Sequence, residues 1–352
     1  MIQQLTQEAI ALLKRLIAQQ SFSSEEAETA LLIMDWFSGY NIKFERSNHN
    51  VWAKNKYFDA SKPTLLLNSH HDTVKPNQAY TRNPFKAEVI DGKMYGLGSN
   101  DAGGCLVSLL ALFTYFYNER DLKYNLVMVA SAEEESSGAN GLNSVLPLLP
   151  PIDVAIVGEP TLMQLAVAEK GLLVLDCCAY GTAGHAAHGL GDNSIYKAIE
   201  AINWFKTFEF QKESDTLGKV KMTVTQVSAG SQHNVIPAEC RFVVDIRVTD
   251  KYDNQEVLDI VKKHVNVEVK PRSLRLNSSS IPVGHPLVQA GIALNRVIYG
   301  SPTLSDQSVL SCPSLKLGPG DSLRSHTADE FIYVREIEEG IQLYIDLLKK
   351  IL

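Results

Sequence analysis

Asn125–Ala130 reads NLVMVA, an uncharged apolar run without glycine or proline. Short and rich in β-formers, it is expected to be a strand. Outward from it lie two more such runs, Thr64–Asn68 (TLLLN) and Ile152–Val157 (IDVAIV), with Ala102–Tyr117 between the first two reading as a helix. From Pro63 to Pro160 strand and helix alternate, which predicts a sheet with parallel strands covered on both faces. In such sheets ligands bind just past the carboxyl ends of the strands. The polar residues there are His70 and Asp72, Glu133 to Glu135, and Glu159.

The flanks extend this plan. Met1–Leu16 carries Ile2, Leu5, Ala9, Leu12, Leu13 and Leu16 at helical spacing, and it lacks the unbroken apolar stretch of a secretory peptide. The middle of the chain changes rhythm: strand Leu172–Ala179, helix Ser194–Phe208, strands Lys219–Ser228 and Cys240–Val248, a helix after the capping-box spacing Asp253–Glu256, and a closing strand Val265–Val269. That β-α-β-β-α-β order is ferredoxin-like. A Ser-rich stretch, Asn277–Ser280, reads as its exit linker, after which helix and strand resume to Leu352.

At 352 residues the chain exceeds what one core usually fills, so two domains are expected. Its 33 Lys and Arg against 40 Asp and Glu give a net charge of −7 with no basic run, which argues against nucleic-acid or anionic-membrane partners and leaves small polar substrates. No stretch approaches a membrane span. The five cysteines, Cys105, Cys177, Cys178, Cys240 and Cys312, form no C-x-x-C pair and read as small buried hydrophobes of a reducing, cytoplasmic protein.

The chemistry lies in a constellation of individually weak signals. In an extended Ser69-His70-His71-Asp72, His70 and Asp72 face the same way and His71 points elsewhere. A carboxylate beside an imidazole can orient it as a metal ligand. Gly96-Leu-Gly-Ser-Asn-Asp101-Ala-Gly-Gly104 matches no phosphate loop, because Asp101 stands where a third glycine would. Its glycines let the backbone present that carboxylate to something cationic. Glu133-Glu134-Glu135 and Glu159 end neighbouring strands, and His326 follows Gly318-Pro319-Gly320. Two histidines and several carboxylates at one sheet edge are costly without cations, and mixed N/O donors suit zinc or its neighbours. One bridging carboxylate with two further ligands per ion leaves a pair of open sites about 3.5–4 Å apart, suited to activating a shared water.

SHHDTV (69–74), GLGSNDAGG (96–104), AEEESSG (132–138), VGEPT (157–161), GTAGHAAH (181–188), HNVIP (233–237), VDIR (244–247) and GPGDSLRSHTADE (318–330) together resemble the M20 metallopeptidase family, the acetylornithine deacetylase and carboxypeptidase group. Any one segment is weak; all of them in family order, over almost the whole chain, are specific. The resemblance implies an α/β fold: a zinc-peptidase-like catalytic domain with a central mixed sheet over 1–170 and 283–352, and an inserted ferredoxin-like α+β lid and dimerisation domain over 171–282. It implies a di-metal amidohydrolase that removes an N-acetyl or N-succinyl group from a small amino acid, acetylornithine or an acyl-citrulline, in arginine biosynthesis. The cofactors it implies are two divalent ions, zinc first and cobalt as an alternative, in a homodimer formed through the inserted domain.

By the same resemblance His70 and Glu159 hold one ion, Glu135 and His326 the other, and Asp101 bridges both. Asp72 orients His70, and Glu134 is the general base. His185 reaches the site of the other subunit and stabilises the oxyanion, Asn234 and Arg247 hold the substrate's carboxylate or complete the closed site, and Gly318 and Gly320 line that pocket. The chain departs from the family in having Glu133 where Asp is usual, Ala102-Gly103 where a lysine commonly follows the bridging aspartate, and His188 where a basic residue is common.

His49, His233, His264 and His285 read as ordinary surface or core histidines. For Arg247, structural pairing with an acid competes with substrate binding, and Lys170 divides evenly between substrate and solvent. A dipeptidase, carboxypeptidase or succinyl-diaminopimelate desuccinylase of the same family is the alternative activity. A non-catalytic binding protein retaining the fold is the third reading.

Overall fold

The computed structural model describes residues 1–352, which divide into two compact units. The first comprises Met1–Val167, Ser280–Tyr299 and Ser305–Leu352; the second comprises Ala168–Ser279 and Gly300–Leu304. The expected limits at 170/171 and 282/283 thus move to 167/168 and 279/280, and 300–304 joins the second unit. The shift has a local cause. Leu165–Glu169 is one continuous buried strand, so the chain leaves the first unit inside a strand and not in the loop at Lys170.

In the first unit the strands lie in the order Phe44–Ser47, Asn50–Lys54, Asn125–Ser131, Thr64–His70, Val154–Val157, Ser314–Lys316, Leu165–Glu169. The Asn125–Ser131, Thr64–His70, Val154–Val157 and Ser314–Lys316 strands run parallel, and their outer neighbours are antiparallel, so the sheet is mixed. Both faces are covered, as strand periodicity requires of such uniformly apolar runs. Leu65, Leu67, Leu126, Met128, Val154 and Ile156 enter the core with helices Ile2–Ile17, Gly104–Phe116 and Val334–Leu348. Leu66, Val127, Val129 and Ala155 pack on the other side with Trp52, Leu142 and Val145.

The helix expected from Ala102 begins as regular helix only at Gly104. Ser99–Gly103 is an irregular turn in which Asp101 is extended, with φ −119° and ψ 99°. The helix that follows is apolar on every side and buried accordingly.

The second unit is a four-stranded antiparallel sheet in the order Lys221–Ala229, Glu239–Val248, Gly171–Tyr180, Glu268–Pro271. With helices Ser194–Thr207 and Asn254–His264 the chain order is β-α-β-β-α-β, the ferredoxin-like arrangement. Leu173, Leu175, Phe242, Val244 and Ile246 meet Ala198, Phe205, Val257 and Val261 in its core. The Asp253–Glu256 capping box forms in both directions. The closing strand starts later than Val265, because the Val265 N–H still donates to Val261 and ends the preceding helix. Asn277 is no free linker either: its side chain accepts from the Asn254 N–H at 2.9 Å. All five cysteines are free thiols. No helix is long and apolar enough to cross a membrane.

Candidate active site

His70 ends the Thr64–His70 strand and is 1% exposed. Its Nδ1 lies 3.0 Å from the Asp72 main-chain oxygen and 3.3 Å from Asp72 Oδ1, so the Nδ1 proton is spoken for and the Nε2 lone pair faces the sheet edge. His71 turns to the other side, where its ring is held by Thr29 Oγ1 at 2.8 Å and the His49 carbonyl at 3.0 Å. Burial pushes the His71 imidazole down to about 4 and keeps it neutral.

Asp72 does more than orient His70. It also accepts the Ser23 hydroxyl at 2.7 Å and the main-chain N–H groups of Glu134 and Glu135, each at 3.1 Å. Burial opposes its ionisation, but the His70 and Ser23 bonds outweigh that and hold the carboxyl below its usual range.

The three consecutive glutamates are sorted by one backbone feature. Glu133 has φ 54°, and its carboxylate turns away to accept from Ser24 Oγ, Asn140 N and Asn140 Nδ2 at 3.0, 3.0 and 3.1 Å. Glu134 and Glu135 face the cluster. Glu134 Oε2 lies 3.9 Å from His70 Nε2, and Glu135 Oε2 lies 3.0 Å from His326 Nε2.

Asp101 stands between. Its Oδ1 is 3.4 Å from His70 Nε2 and its Oδ2 is 3.6 Å from His326 Nε2, while Glu159 Oε1 is 3.7 Å from His70 Nε2. Two sets of donors result, His70–Asp101–Glu159 and Asp101–Glu135–His326, each with its ligand atoms within 4.8 Å of one another. They share Asp101. Burial and the Asp101 charge push Glu159 up to about 8, and burial holds Glu134 well above the usual carboxylate range. The Glu135 bond lifts His326 to about 9. Acids that resist ionisation beside imidazoles that resist deprotonation mark a pocket short of positive charge. Imidazole nitrogens aimed inward, carboxylates around them and one shared carboxylate fit two divalent cations that accept N and O donors.

Gly318 and Gly320 bring the following loop against this edge. A Cβ on Gly318 would stand 2.5 Å from Cys105 Sγ and 2.6 Å from the Glu159 carbonyl, and one on Gly320, at φ +89°, 2.5 Å from Asn100 Oδ1. The first unit therefore gathers His70, Asp72, Asp101, Glu134, Glu135, Glu159, His326, Gly318 and Gly320.

The remaining expected residues lie in the second unit. Gly184–His185 pairs with Val235–Ile236, and Ala186 N donates to Asn234 O at 3.0 Å, so His185 and Asn234 belong to one small ladder. His185 is exposed, and its Nδ1 accepts from Ala187 N at 3.2 Å, which leaves the proton on Nε2. Arg247 makes a two-pronged pair with Asp245 at 2.9 and 3.1 Å, the arrangement that competes with substrate binding. Lys170 Nζ donates to the Lys219 carbonyl at 3.3 Å.

Two participants escaped the sequence reading. Ser23 lies 49 positions from the Asp72 it serves. Asp306, buried within a Ser- and Gln-containing segment, accepts from Ser131 Oγ at 2.5 Å and is pushed up to about 6 by burial, within electrostatic reach of Glu134. Neither has a periodic or spacing signal.

Comparison with known proteins places the chain in a family. The family described as peptidase family M20/M25/M40 matches residues 66–350. Acetylornithine deacetylase of Shigella sonnei is 28% identical, over 96% of this chain and 96% of that protein. Succinyl-diaminopimelate desuccinylase 2 of a Ruegeria species is 22% identical, over 95% and 92%. Among solved structures, an M20 family metallo-carboxypeptidase from Sulfolobus solfataricus superposes with TM-score 0.77 at 18% identity, over 98% of this chain and 99% of that one.

Proposed function

The chain belongs to peptidase family M20/M25/M40, hydrolases of amide bonds, and from that membership we propose that it removes an N-acetyl or N-succinyl group from a small amino acid. The amino acid is ornithine or citrulline and the setting arginine biosynthesis, a reading supported by full-length similarity to an acetylornithine deacetylase. His70 and Glu159 would hold one divalent cation and Glu135 and His326 a second, with Asp101 common to both donor sets, zinc by preference with cobalt able to substitute. When bound they supply Lewis acidity to water and to the acyl carbonyl.

The observation that carries the mechanism is the place of Glu134. Its carboxylate faces His70 at 3.9 Å, yet it belongs to neither ligand set. Burial first, and then the neighbouring acids, raise its pKa well above the ordinary carboxylate range, which strengthens it as a proton acceptor. Glu134 takes a proton from the attacking water and returns it to the departing nitrogen, so amide and water become a carboxylic acid and an amine. Asp72 keeps the base in place through the Glu134 main chain and keeps the His70 proton on Nδ1. His185 of a second subunit donates from Nε2 to the carbonyl oxygen, and Asn234 and Arg247 hold the substrate's carboxylate. The protein works as a cytoplasmic homodimer joined through the second unit.

A substrate panel tests the proposal. Zinc- and cobalt-loaded protein is assayed with acetylornithine, acetylcitrulline, succinylcitrulline, succinyl-diaminopimelate and simple dipeptides. Turnover concentrated on acyl-ornithine or acyl-citrulline is expected; preference for dipeptides or for succinyl-diaminopimelate rejects the assignment. Glu134→Gln should keep both ions by elemental analysis while kcat falls about 10³-fold or more. Undiminished kcat removes Glu134 from the role of base.

A further inference from the structure

Asp101 is the carboxylate common to both ligand sets, yet no sheet strand or regular helix holds it; it sits on the irregular turn Ser99–Gly103. His326, its partner in the second set, is likewise on a loop, with φ 59° and a side chain 54% exposed. Two loops of such irregular backbone keep a common geometry only when something ties them together.

The ties are side chains that bind no ion. Glu330, 1% exposed, accepts the N–H groups of Asn100 and Asp101 at 2.8 and 3.0 Å on Oε1 and that of Gly98 at 3.2 Å on Oε2. Its own carbonyl accepts the Gly96 N–H at 3.0 Å. In the opposite direction the buried Asn100 side chain pairs with the backbone of Asp321: Oδ1 accepts the Asp321 N–H and Nδ2 donates to the Asp321 carbonyl, both at 3.0 Å. The segment from Asp321 to Glu330, which carries His326, is therefore fastened at each end to the turn that carries Asp101.

We propose that Asn100 and Glu330 are positioning residues, a reciprocal clasp that sets Asp101 against His326 and so assembles the second cation set. The inference rests on the two-cation reading above. The first set suffers less without the clasp, because His70 is fixed by its strand and by Asp72. Groups that orient ligands without touching the metal typically govern affinity about 10–100-fold. Glu330→Gln keeps an oxygen for the Asn100 and Asp101 N–H groups and loses only the acceptor for Gly98, so it should retain most of the clasp.

Cobalt(II) titration of the metal-free full-length chain, followed by d–d absorption and by paramagnetic resonance, reads the ions one at a time and reports whether they are magnetically coupled. Wild type should take up two equivalents, the second producing a coupled pair. Glu330→Ala and Asn100→Ala should bind the first within about threefold of wild type, bind the second at least about tenfold more weakly, and lose the coupling. Glu330→Gln should recover the second ion. If Glu330→Ala does not fold, as circular dichroism would show, Asn100→Ala alone decides. Wild-type affinity for both ions in a folded Asn100→Ala overturns the clasp. Wild type that takes no second ion overturns the two-cation reading itself, and the clasp with it, before any variant is measured.

Discussion

Replacing Asp72 by alanine removes an acceptor that serves four donors: His70 Nδ1, the Ser23 hydroxyl, and the N–H groups of Glu134 and Glu135. The two main-chain N–H groups have no alternative acceptor in the structure. Orphaning a buried donor costs about 1–3 kcal/mol, so the pair alone costs about 2–6 kcal/mol. For a unit of this size each kcal/mol moves the midpoint by about 2–4 °C, so the metal-free protein should melt roughly 10 °C lower. Metal affinity should fall by up to about 10-fold, because His70 loses the carboxylate 3.3 Å from its Nδ1 and keeps only the main-chain oxygen of residue 72 at 3.0 Å. Removing a negative charge from among other carboxylates works the opposite way. Asp72→Asn separates the two effects: it removes the same charge but leaves one oxygen for one glutamate N–H, so it should recover about half of the lost stability. Calorimetry of the metal-free proteins and competition against a chelator supply both numbers. An Asp72→Ala protein that melts within a degree of wild type and holds zinc equally well would mean that these donors do not depend on the Asp72 carboxylate.

Acid–base linkage gives a second test. Glu159 in the metal-free fold is pushed up to about 8 from an ordinary 4.5, and His326 up to about 9 from 6.5. Between pH 6.5 and 8 the folded state therefore holds more protons than the unfolded chain, so stability falls as pH rises through that window. His71, down at about 4 from an ordinary 6.5, works the other way only near pH 6.5, where the unfolded imidazole is still partly protonated, and Glu159 and His326 together outweigh it. The midpoint of metal-free protein should decline from pH 6.5 to 8, and saturating zinc should abolish the decline, because cations displace those protons; a metal-free midpoint that rises over the interval contradicts the assignment. Gly318→Ala drives a methyl group toward Cys105 and the Glu159 carbonyl, so it should destabilise by about 1–3 kcal/mol and weaken zinc binding; unchanged chelator competition speaks against that contact. Arg247→Ala should raise KM about tenfold with unchanged metal content and kcat, since it removes binding energy common to ground and transition states. A lowered melting temperature with KM intact would mean that Arg247 only braces Asp245.

Much of this was readable in the chain because strand geometry is local. The two-residue period of Ser69–Asp72 puts His70 and Asp72 on one side and His71 on the other without any tertiary information. The uniformly apolar runs around Leu66 and Val127 announce a sheet covered on both faces. What stayed hidden depends on backbone exceptions or on distant partners. The positive φ at Glu133, which turns that carboxylate away while Glu134 and Glu135 face the cluster, has no signature in a run of identical residues. Ala102, at φ −118° and ψ 32°, is not helical although the apolar pattern reads as helix from there. Ser23 meets Asp72, and Glu330 meets Asn100, across 49 and 230 positions, and no periodicity links residues so far apart. The second unit was legible as an order of elements, while its closing strand slipped because Val265 still completes a helical turn.

In the proposed function, imidazoles and carboxylates remote in sequence jointly hold a pair of cations. Anomalous-difference diffraction at the zinc edge, on crystals grown with zinc, tests it directly. Two peaks are expected, one among His70, Asp101 and Glu159 and the other among Asp101, Glu135 and His326, separated by about 3.5–4 Å. A map with no peak touching Asp101 would contradict it.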